Sequence, residues 1–447
     1  MNRSNCFKRK HRNVSNQFAI DVSWLPPGQG PKEVSLTAAL LQVTIGNKVA
    51  TRIEDEWSKS VQQSARVSAY PSALWIASSW WRLRWESLPF RNAPDNAWRV
   101  AHEMPGAGHG YLWPLLRFES DGEEIGAICN PSNPLSDEPV RYLADFRETI
   151  SASSFESTLD GFVYLVLSRL DAIGASGTHL RELWSEVMEE RADPTAAQER
   201  RLEARLGFEP DEAPVALIDR LESLSGRAGQ SAVDELAPVC AGPMHDAILN
   251  QIEQLAALQG VEARISPPGS LSIRDSFSTT PWEKGWTLAR KARQHYGLNG
   301  QPISDRQLSD ILGISAGTLT QPLANSTRPP LGLGIRNGNP GQLKLVFRKR
   351  NRPGLRFEAA RFLSEQLLAP QGETWLPATD SSTARQKVQR AFAAEFLCPI
   401  EGLREFLDGD FSPELIEEAG DLFGVSELAV KSVLANYCEI PADRVTA

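Results

Sequence analysis

Two periods of apolar residues divide the chain. Up to about residue 150 the apolar positions come in short runs separated by turn signals, the pattern of β-strands joined by hairpins. VSLTAALLQVTI and KVATRI flank Gly46-Asn47, a two-residue hairpin signal between two β-rich runs. ALWIASSWWRLRWESL reads as a further strand, and LLRFESDGEEIGAICNP as another hairpin, turning at Asp121-Gly122. From SSFESTLDGFVYLVLSRLDAIGA onward the period becomes helical. Ser154 lies just ahead of the Leu159, Phe162, Leu165 and Leu167 face and marks a helix start. HLRELWSEVMEER, AAQERRLEARLGF, ALIDRLESL and AILNQIEQLAAL continue as helices with charged outer faces, and nothing in them has catalytic spacing. ARISPPGSLSIRDSFSTTPW, with paired prolines and several serines, reads as a linker.

The pattern therefore predicts an α+β, multidomain chain. Its parts are a basic tail (1–19), a β-containing tryptophan-rich domain (20–150), a helical middle (151–265), a linker (266–282) and a mixed C-terminal domain (283–447). Eight of the twelve tryptophans lie before residue 115: Trp24, Trp57, Trp75, Trp80, Trp81, Trp85, Trp98 and Trp113. They are expected to fill the first domain's core, with a ligand or base-stacking platform as the alternative.

Composition narrows the classes. A 447-residue chain with 41% hydrophobic and 23% charged residues is that of a folded protein. Its net charge of -9, from 47 basic and 56 acidic residues, argues against a chain that coats nucleic acid or acidic membrane with its whole surface. The five cysteines, Cys6, Cys129, Cys240, Cys398 and Cys438, are dispersed and form no CxxC, so reduced, mostly buried thiols are expected. MNRSNCFKRKHRN has no apolar core behind its basic residues, and no apolar run approaches the ~18 residues of a membrane span. The expectation is a cytoplasmic protein without a membrane partner.

In the C-terminal third, KGWTLARKARQHYGLNGQPISDRQLSDILGIS predicts a helix, a loop and a second helix ending at Gly313. The strand QLKLVFRKRN, the helix RFEAARFLSEQLL, the segment AFAAEFLCP (391–399) and the closing pair around LFGVSELAVKSVL (422–434) come after it in that order. This succession, about 160 residues long, resembles the ImmA/IrrE family of bacterial and phage-associated metallopeptidase-like proteins. The resemblance implies a zincin-like fold in which the RFEAARFLSEQLL helix would carry HExxH. Histidines at i and i+4 share one helix face and bind one zinc, while the glutamate activates the metal-bound water.

Matched position by position, the first histidine is Arg361, the general-base glutamate is Phe362 and the second histidine is Glu365. A further acidic ligand expected before AFAAEF falls near Gln386 or Val388, where no carboxylate occurs. A guanidinium does not ligate zinc and a phenyl ring accepts no proton. The resemblance then implies a pseudopeptidase with no catalytic residues, metal or cofactor. It would act on a protein partner as a regulatory or interaction protein in a bacterial or mobile-element setting such as stress response or phage defence. Arg361 and Glu365 would form an ion pair across the vacated site, or Arg361 would face an anionic ligand.

Two alternatives come from other classes. Between Arg336 and Arg361 eight basic residues (Arg336, Lys344, Arg348, Lys349, Arg350, Arg352, Arg356, Arg361) stand against Glu358 alone, with Arg385, Lys387 and Arg390 near them on the resemblance. Such a cluster suits an anion or the phosphate backbone of nucleic acid, and a solvated strand end is the plain reading. SDRQLSDILGISAGTLTQ also mimics a helix-turn-helix, with Leu308, Leu312, Gly313, Ile314, Ser315 and Leu319 at suitable offsets, although its second helix would offer few base-reading side chains. The other alternative is a metallopeptidase with a displaced metal. His102, Glu103 and His109 in AHEMPGAGHG come nearest to a ligand set, but Pro105 and three glycines make the segment a loop. His11, His179, His245 and His295 are scattered singly and read as surface or satisfied core residues.

Overall fold

The computed structural model describes residues 17–28, 30–89, 93–135, 137–265, 280–320 and 328–441. Most of the basic tail and of the linker, with Cys6, fall outside the described residues. The chain is α+β and divides into two units, 12–218 and 219–447, so the helical middle is shared between them. The division falls inside one helix, Val215–Ala228.

In the first unit the strands are β1 (Phe18–Trp24), β2 (Ala38–Ile45), β3 (Lys48–Val49), β4 (Ile53–Asp55), β5 (Ser60–Gln62), β6 (Ala65–Ser68), β7 (Leu115–Ser120), β8 (Glu124–Asn130), β9 (Val140–Tyr142) and β10 (Phe146–Ser151). They form three small antiparallel sheets: β1-β2-β3 with β6 also on β2, β10-β8-β7, and β5-β4-β9. β2 alternates half-buried and buried residues along its length, so its register on β1 is set by the face it must bury. The two hairpin turns stand where the sequence places them, at Gly46-Asn47 and at Asp121-Gly122, with Gly46 at φ 61° and Gly122 at φ 93°.

The run ALWIASSWWRLRWESL is helix, which corrects the strand expected there. Ala69–Trp85 is a 17-residue helix with fourteen of its residues buried, and Ser68 caps it by accepting from the Tyr70 N–H. A helix packed on all sides shows no 3.6-residue stripe, and its aromatic content then mimics strand propensity. In chain order the helices of this unit are α1 (Lys32–Leu36), α2 (Ala69–Trp85), α3 (Asn96–His102), α4 (Ala152–Ala172), α5 (His179–Ala192) and α6 (Pro194–Leu206). α2 packs against α3, α4, α5 and α6. The start of α4 is capped by Ser151, whose hydroxyl accepts from the Ser154 N–H, so Ser154 is inside the first turn. Trp75, Trp80, Trp81, Trp98 and Trp113 are buried in this core, while Trp57 stands exposed between β4 and β5.

The second unit is built on one antiparallel sheet of β11 (Val261–Arg264), β12 (Gly332–Arg336), β13 (Gln342–Val346) and β14 (Trp375–Ala378), in the order β11-β13-β12-β14. Continuing from α7 (Val215–Ala228), its helices are α8 (Gln230–Cys240), α9 (His245–Leu255), α10 (Pro281–His295), α11 (Asp305–Leu312), α12 (Arg352–Leu368), α13 (Ala384–Leu397), α14 (Ile400–Leu407), α15 (Pro413–Phe423) and α16 (Glu427–Asn436). α11 begins with a capping box of Ser304 and Gln307 and ends on Gly313 in the left-handed conformation, as the sequence predicts. After Gly313 the chain makes a single 3-10 turn, Ala316–Leu319, with Leu319 buried, so no second α-helix of a helix-turn-helix stands there among the described residues. Cys129, Cys240 and Cys398 are buried free thiols, and burial pushes the first two up to about 12.

α10 and α13 pack closely where Gly285 faces α13. A Cβ on Gly285 would lie 2.6 Å from the Val388 carbonyl oxygen and 2.7 Å from the Ala391 Cβ. Gly285→Ala should therefore destabilise the protein by about 1–3 kcal/mol through overpacking, despite alanine's higher helix propensity. Urea denaturation checks this, and equal or higher stability would mean that the two helices have room to separate.

Candidate functional site

The helix that the sequence singles out is buried with its charges. Eleven of the seventeen residues of α12 are buried, among them Arg356, Glu358, Arg361, Ser364, Glu365 and Gln366. Polar groups in such surroundings must find partners or cost stability, and nearly all of those on this helix find them.

Arg361 is only 4% exposed and reaches from α12 to α13 and to the end of β14. Its Nε donates to Gln389 Oε1 at 3.1 Å, and its Nη2 donates to the Thr379 carbonyl at 2.6 Å and to Gln386 Oε1. Burial holds the guanidinium below its ordinary pKa, and Glu358, Asp380 and Glu365 oppose that. Glu365, 1% exposed, does not pair with Arg361 by hydrogen bond. It accepts from Arg385 Nε at 3.0 Å and from Gln389 Nε2 at 2.6 Å, so the ion pair expected across i and i+4 is replaced by two pairings to α13. Arg385 in turn has its pKa raised, because Glu365 outweighs the burial that would lower it. Phe362 is fully buried and meets Phe347 edge-on at 5.5 Å, which makes the general-base position part of the apolar core.

The same side chains close an edge of the sheet. β14 pairs with β12 on one side only. The Pro377 carbonyl accepts from Gln386 Nε2 at 3.1 Å and Gln389 Nε2 at 3.0 Å, and the Thr379 N–H donates to Gln386 Oε1 at 2.9 Å. Side chains of α13 thus take backbone groups that an added strand would otherwise use. Gln389 and Thr379 are residues that sequence reasoning missed, and Arg385 was expected only as a neighbour of the basic cluster, not as the partner of Glu365. RQKVQR puts Arg385 with Gln389 and Gln386 with Arg390 at i and i+4 on neighbouring faces of one helix, but nothing in that spacing shows which element they meet.

Most of the basic residues expected to meet an anion or nucleic acid are spent inside the unit. Arg336 donates to the Glu373 carbonyl at 2.9 Å, to Gln366 Oε1 at 3.0 Å and to the Ala369 carbonyl at 3.2 Å, capping the end of α12. Lys344 Nζ donates to the Ala256 carbonyl at 2.5 Å, and Arg352 pairs with Asp305 at 2.8 Å. Arg356 is fully buried and donates to the Ile303 carbonyl at 2.6 Å, to the Gly424 carbonyl at 3.0 Å and to Asp305. It therefore ties the start of α12 to the loop before α11 and to the turn between α15 and α16. That turn has room for the guanidinium because Gly424, at φ 64°, would otherwise bring a Cβ within 2.6 Å of Arg356 Nε. Arg348 is buried against Asp380 at 2.5 Å, and Arg390 donates to the Ser381 carbonyl at 2.9 Å. Lys349 is half-buried, Arg350 is exposed, and Lys387 is half-buried on α13.

The residues of the displaced-metal alternative lie in the first unit. His102 ends α3 rather than lying in a loop. It is fully buried, its Nε2 is 3.0 Å from Glu86 and its Nδ1 is 3.1 Å from the Phe118 carbonyl, and Trp98 stacks on it at 4.1 Å. Glu103 pairs with Arg99 at 3.0 Å, and His109 Nδ1 lies 2.9 Å from the Ala107 carbonyl. The three residues serve three different partners. Among the described residues no group of three His, Cys, Asp or Glu side chains is placed to hold a metal ion, and no helix is long and apolar enough to cross a membrane.

No protein-family model, curated protein or solved structure matches this chain.

These contacts have two measurable consequences. Arg361→Ala removes the buried donor to the Gln389 amide oxygen and to the Thr379 carbonyl and one of two donors to Gln386, so a loss of about 3–5 kcal/mol in unfolding free energy is expected, read by chemical denaturation. Asp305 tends upward through burial, but the hydrogen bonds from Arg352 and Arg356 prevail and hold it below its ordinary value of 3.8. A carboxylate depressed in the folded state adds stability above its unfolded pKa and loses it as pH falls through the folded one. Asp305→Asn should therefore cost about 1.5–3 kcal/mol at pH 7 and progressively less below pH ~4, measured by thermal unfolding across pH.

Proposed function

We propose that the second unit is a peptidase-like fold without catalysis, and that the protein acts as a regulatory or interaction protein on a protein partner. The setting that goes with this reading is bacterial or mobile-element biology, such as stress response or phage defence. The observation that carries it is the side chain at the first histidine position. Arg361 is a fixed cation there, and the acceptors between α12 and α13 are already bonded to it. The second histidine position supplies a carboxylate, Glu365, that Arg385 and Gln389 hold. A zinc ion would have to compete with a permanently protonated guanidinium for this space, and the position where the resemblance expects a general base is the core residue Phe362.

The nucleic-acid reading draws support from fewer residues than the sequence offers. Of the cluster between 336 and 361, Arg350 is exposed and the Arg352 side chain half so, while Arg348, Arg356 and Arg361 are buried. Phosphate-backbone binding needs several accessible cations at once.

Metal analysis with a peptidase assay separates these readings. After incubation with zinc and desalting, the full-length protein is expected to retain below about a tenth of an equivalent and to leave unstructured peptides intact. Native mass spectrometry of the protein from its own cells is expected to show a stoichiometric protein partner. Stoichiometric zinc with peptide cleavage would overturn the proposal. So would a chain that purifies without protein but binds DNA or RNA with a steep salt dependence that Lys349→Gln and Arg350→Gln abolish.

A further inference from the structure

β1 is an edge strand whose outer side is open. It pairs with β2 alone, over all seven of its residues and in one unbroken register. The Gln17 carbonyl accepts from the Gly46 N–H, and the Leu25 N–H donates to the Ala38 carbonyl. Both bonds belong to one antiparallel ladder, in which alternate residues face the partner, so Ala19, Asp21 and Ser23 turn their backbone groups to β2. Phe18, Ile20, Val22 and Trp24 turn theirs outward, and the Phe18 carbonyl is accordingly taken by the Thr158 hydroxyl of α4 at 2.7 Å. The outward N–H and C=O groups of Ile20, Val22 and Trp24 have no hydrogen-bond partner among the described residues, and all three residues are half-buried rather than enclosed.

Long edge strands are commonly protected by lysine, proline or a bulge, and β1 has none of these. Its one charge is Asp21, exposed on the face opposite to that of the buried Phe18. α4 runs beside the open edge. Thr158 meets Phe18 at one end of β1, and the Arg169 guanidinium lies 5.4 Å from the centre of the Trp24 ring at the other. Gly161 and Leu165, three and seven residues after Thr158, fall on the same side of the helix. A Cβ on Gly161 would meet nothing within 4 Å, and Leu165 is 40% exposed, so an incoming chain has both room and an apolar contact there.

We propose that the open edge of β1, beside α4, binds an extended segment of a protein partner as an added β-strand, with a lysine or arginine of that segment opposite Asp21. Two features decide the occupant. The outward groups of Ile20, Val22 and Trp24 offer donors and acceptors in a row, which another extended backbone matches along its length. Asp21 favours a cation across the new strand pair and disfavours a second copy of β1, whose centred antiparallel pairing would set Asp21 against Asp21. The site stands whether or not the second unit is peptidase-like, because only residues of the first unit form it.

The probe is a fluorescently labelled seven-residue peptide that alternates valine and threonine and carries lysine at its centre, so that strand addition sets the lysine against Asp21. Fluorescence anisotropy with the full-length protein is expected to show saturable binding with a Kd below about 1 mM. Alternate amides of an added strand face β1, so N-methylation of the valine amides should abolish binding while that of the threonine and lysine amides leaves it; the reverse result assigns a parallel strand instead of an antiparallel one. Val22→Pro removes an outward N–H without touching the bonds to β2 and should weaken binding by about tenfold or more. Asp21→Lys should weaken it about fivefold and turn the preference toward a peptide with glutamate at its centre. If Val22→Pro does not fold by circular dichroism, Asp21→Lys, at an exposed position, takes its place. No saturable binding up to the order of 1 mM, equal effects of the two methylated peptides, or affinity unchanged in the variants would sink the proposal.

Discussion

The second unit depends on one requirement: the charged groups that α12 carries into the interior must be satisfied. A helix could bury Phe362 and Leu363 against a sheet without constraint on its neighbours. Burying Arg356, Glu358, Arg361 and Glu365 beside them is different, because each needs partners at fixed distances and each draws them from another element. Arg356 fixes the loop before α11 and the α15–α16 turn, Glu358 fixes the exit from β13, and Arg361 and Glu365 fix α13 and β14. Net gain in stability from such contacts is small, but removing any one partner is costly, so the network specifies an arrangement more than it strengthens it.

That constraint also shapes what the site can do. A zinc site needs neutral or anionic ligands with unused lone pairs, and here the lone pairs of Gln386, Gln389 and Glu365 are directed at guanidinium groups. The edge of β14 is closed by the same glutamines, so binding by strand addition at Pro377 would first have to displace them. A comparable buried network lies in the first unit, where Glu86 lies against Arg82 at 2.7 Å and His102 at 3.0 Å, beside the helix α2 around which that unit packs.

Much of the element order was legible. The hairpins at Gly46-Asn47 and Asp121-Gly122 carry turn residues whose backbone freedom the turn uses, and the Ser304 capping box with Gly313 brackets α11 by local chemistry alone. α2 was misread because a helix buried on every side loses the periodicity that marks helices. The site was half legible. Arg361, Phe362 and Glu365 stood out through a spacing that binds metal in other chains, yet their partners Gln389, Thr379 and Arg385 lie 18 to 28 residues away and have no local signal of their role. The basic cluster misled in the opposite way, since charge density in sequence does not say which guanidinium groups face water.

The sequence by itself determined the elements whose causes are local: turns, caps and helix ends. Only the tertiary structure decided where the charges went. A guanidinium is equally at home in solvent or among carbonyl and amide oxygens, and which of these it meets depends on groups brought together from distant positions. Arg356 in the core, Arg352 at the surface and Arg361 between two helices are four to nine residues apart in sequence, and their surroundings differ because Arg352 stands at the exposed first residue of α12, whereas Arg356 and Arg361 lie in its buried middle.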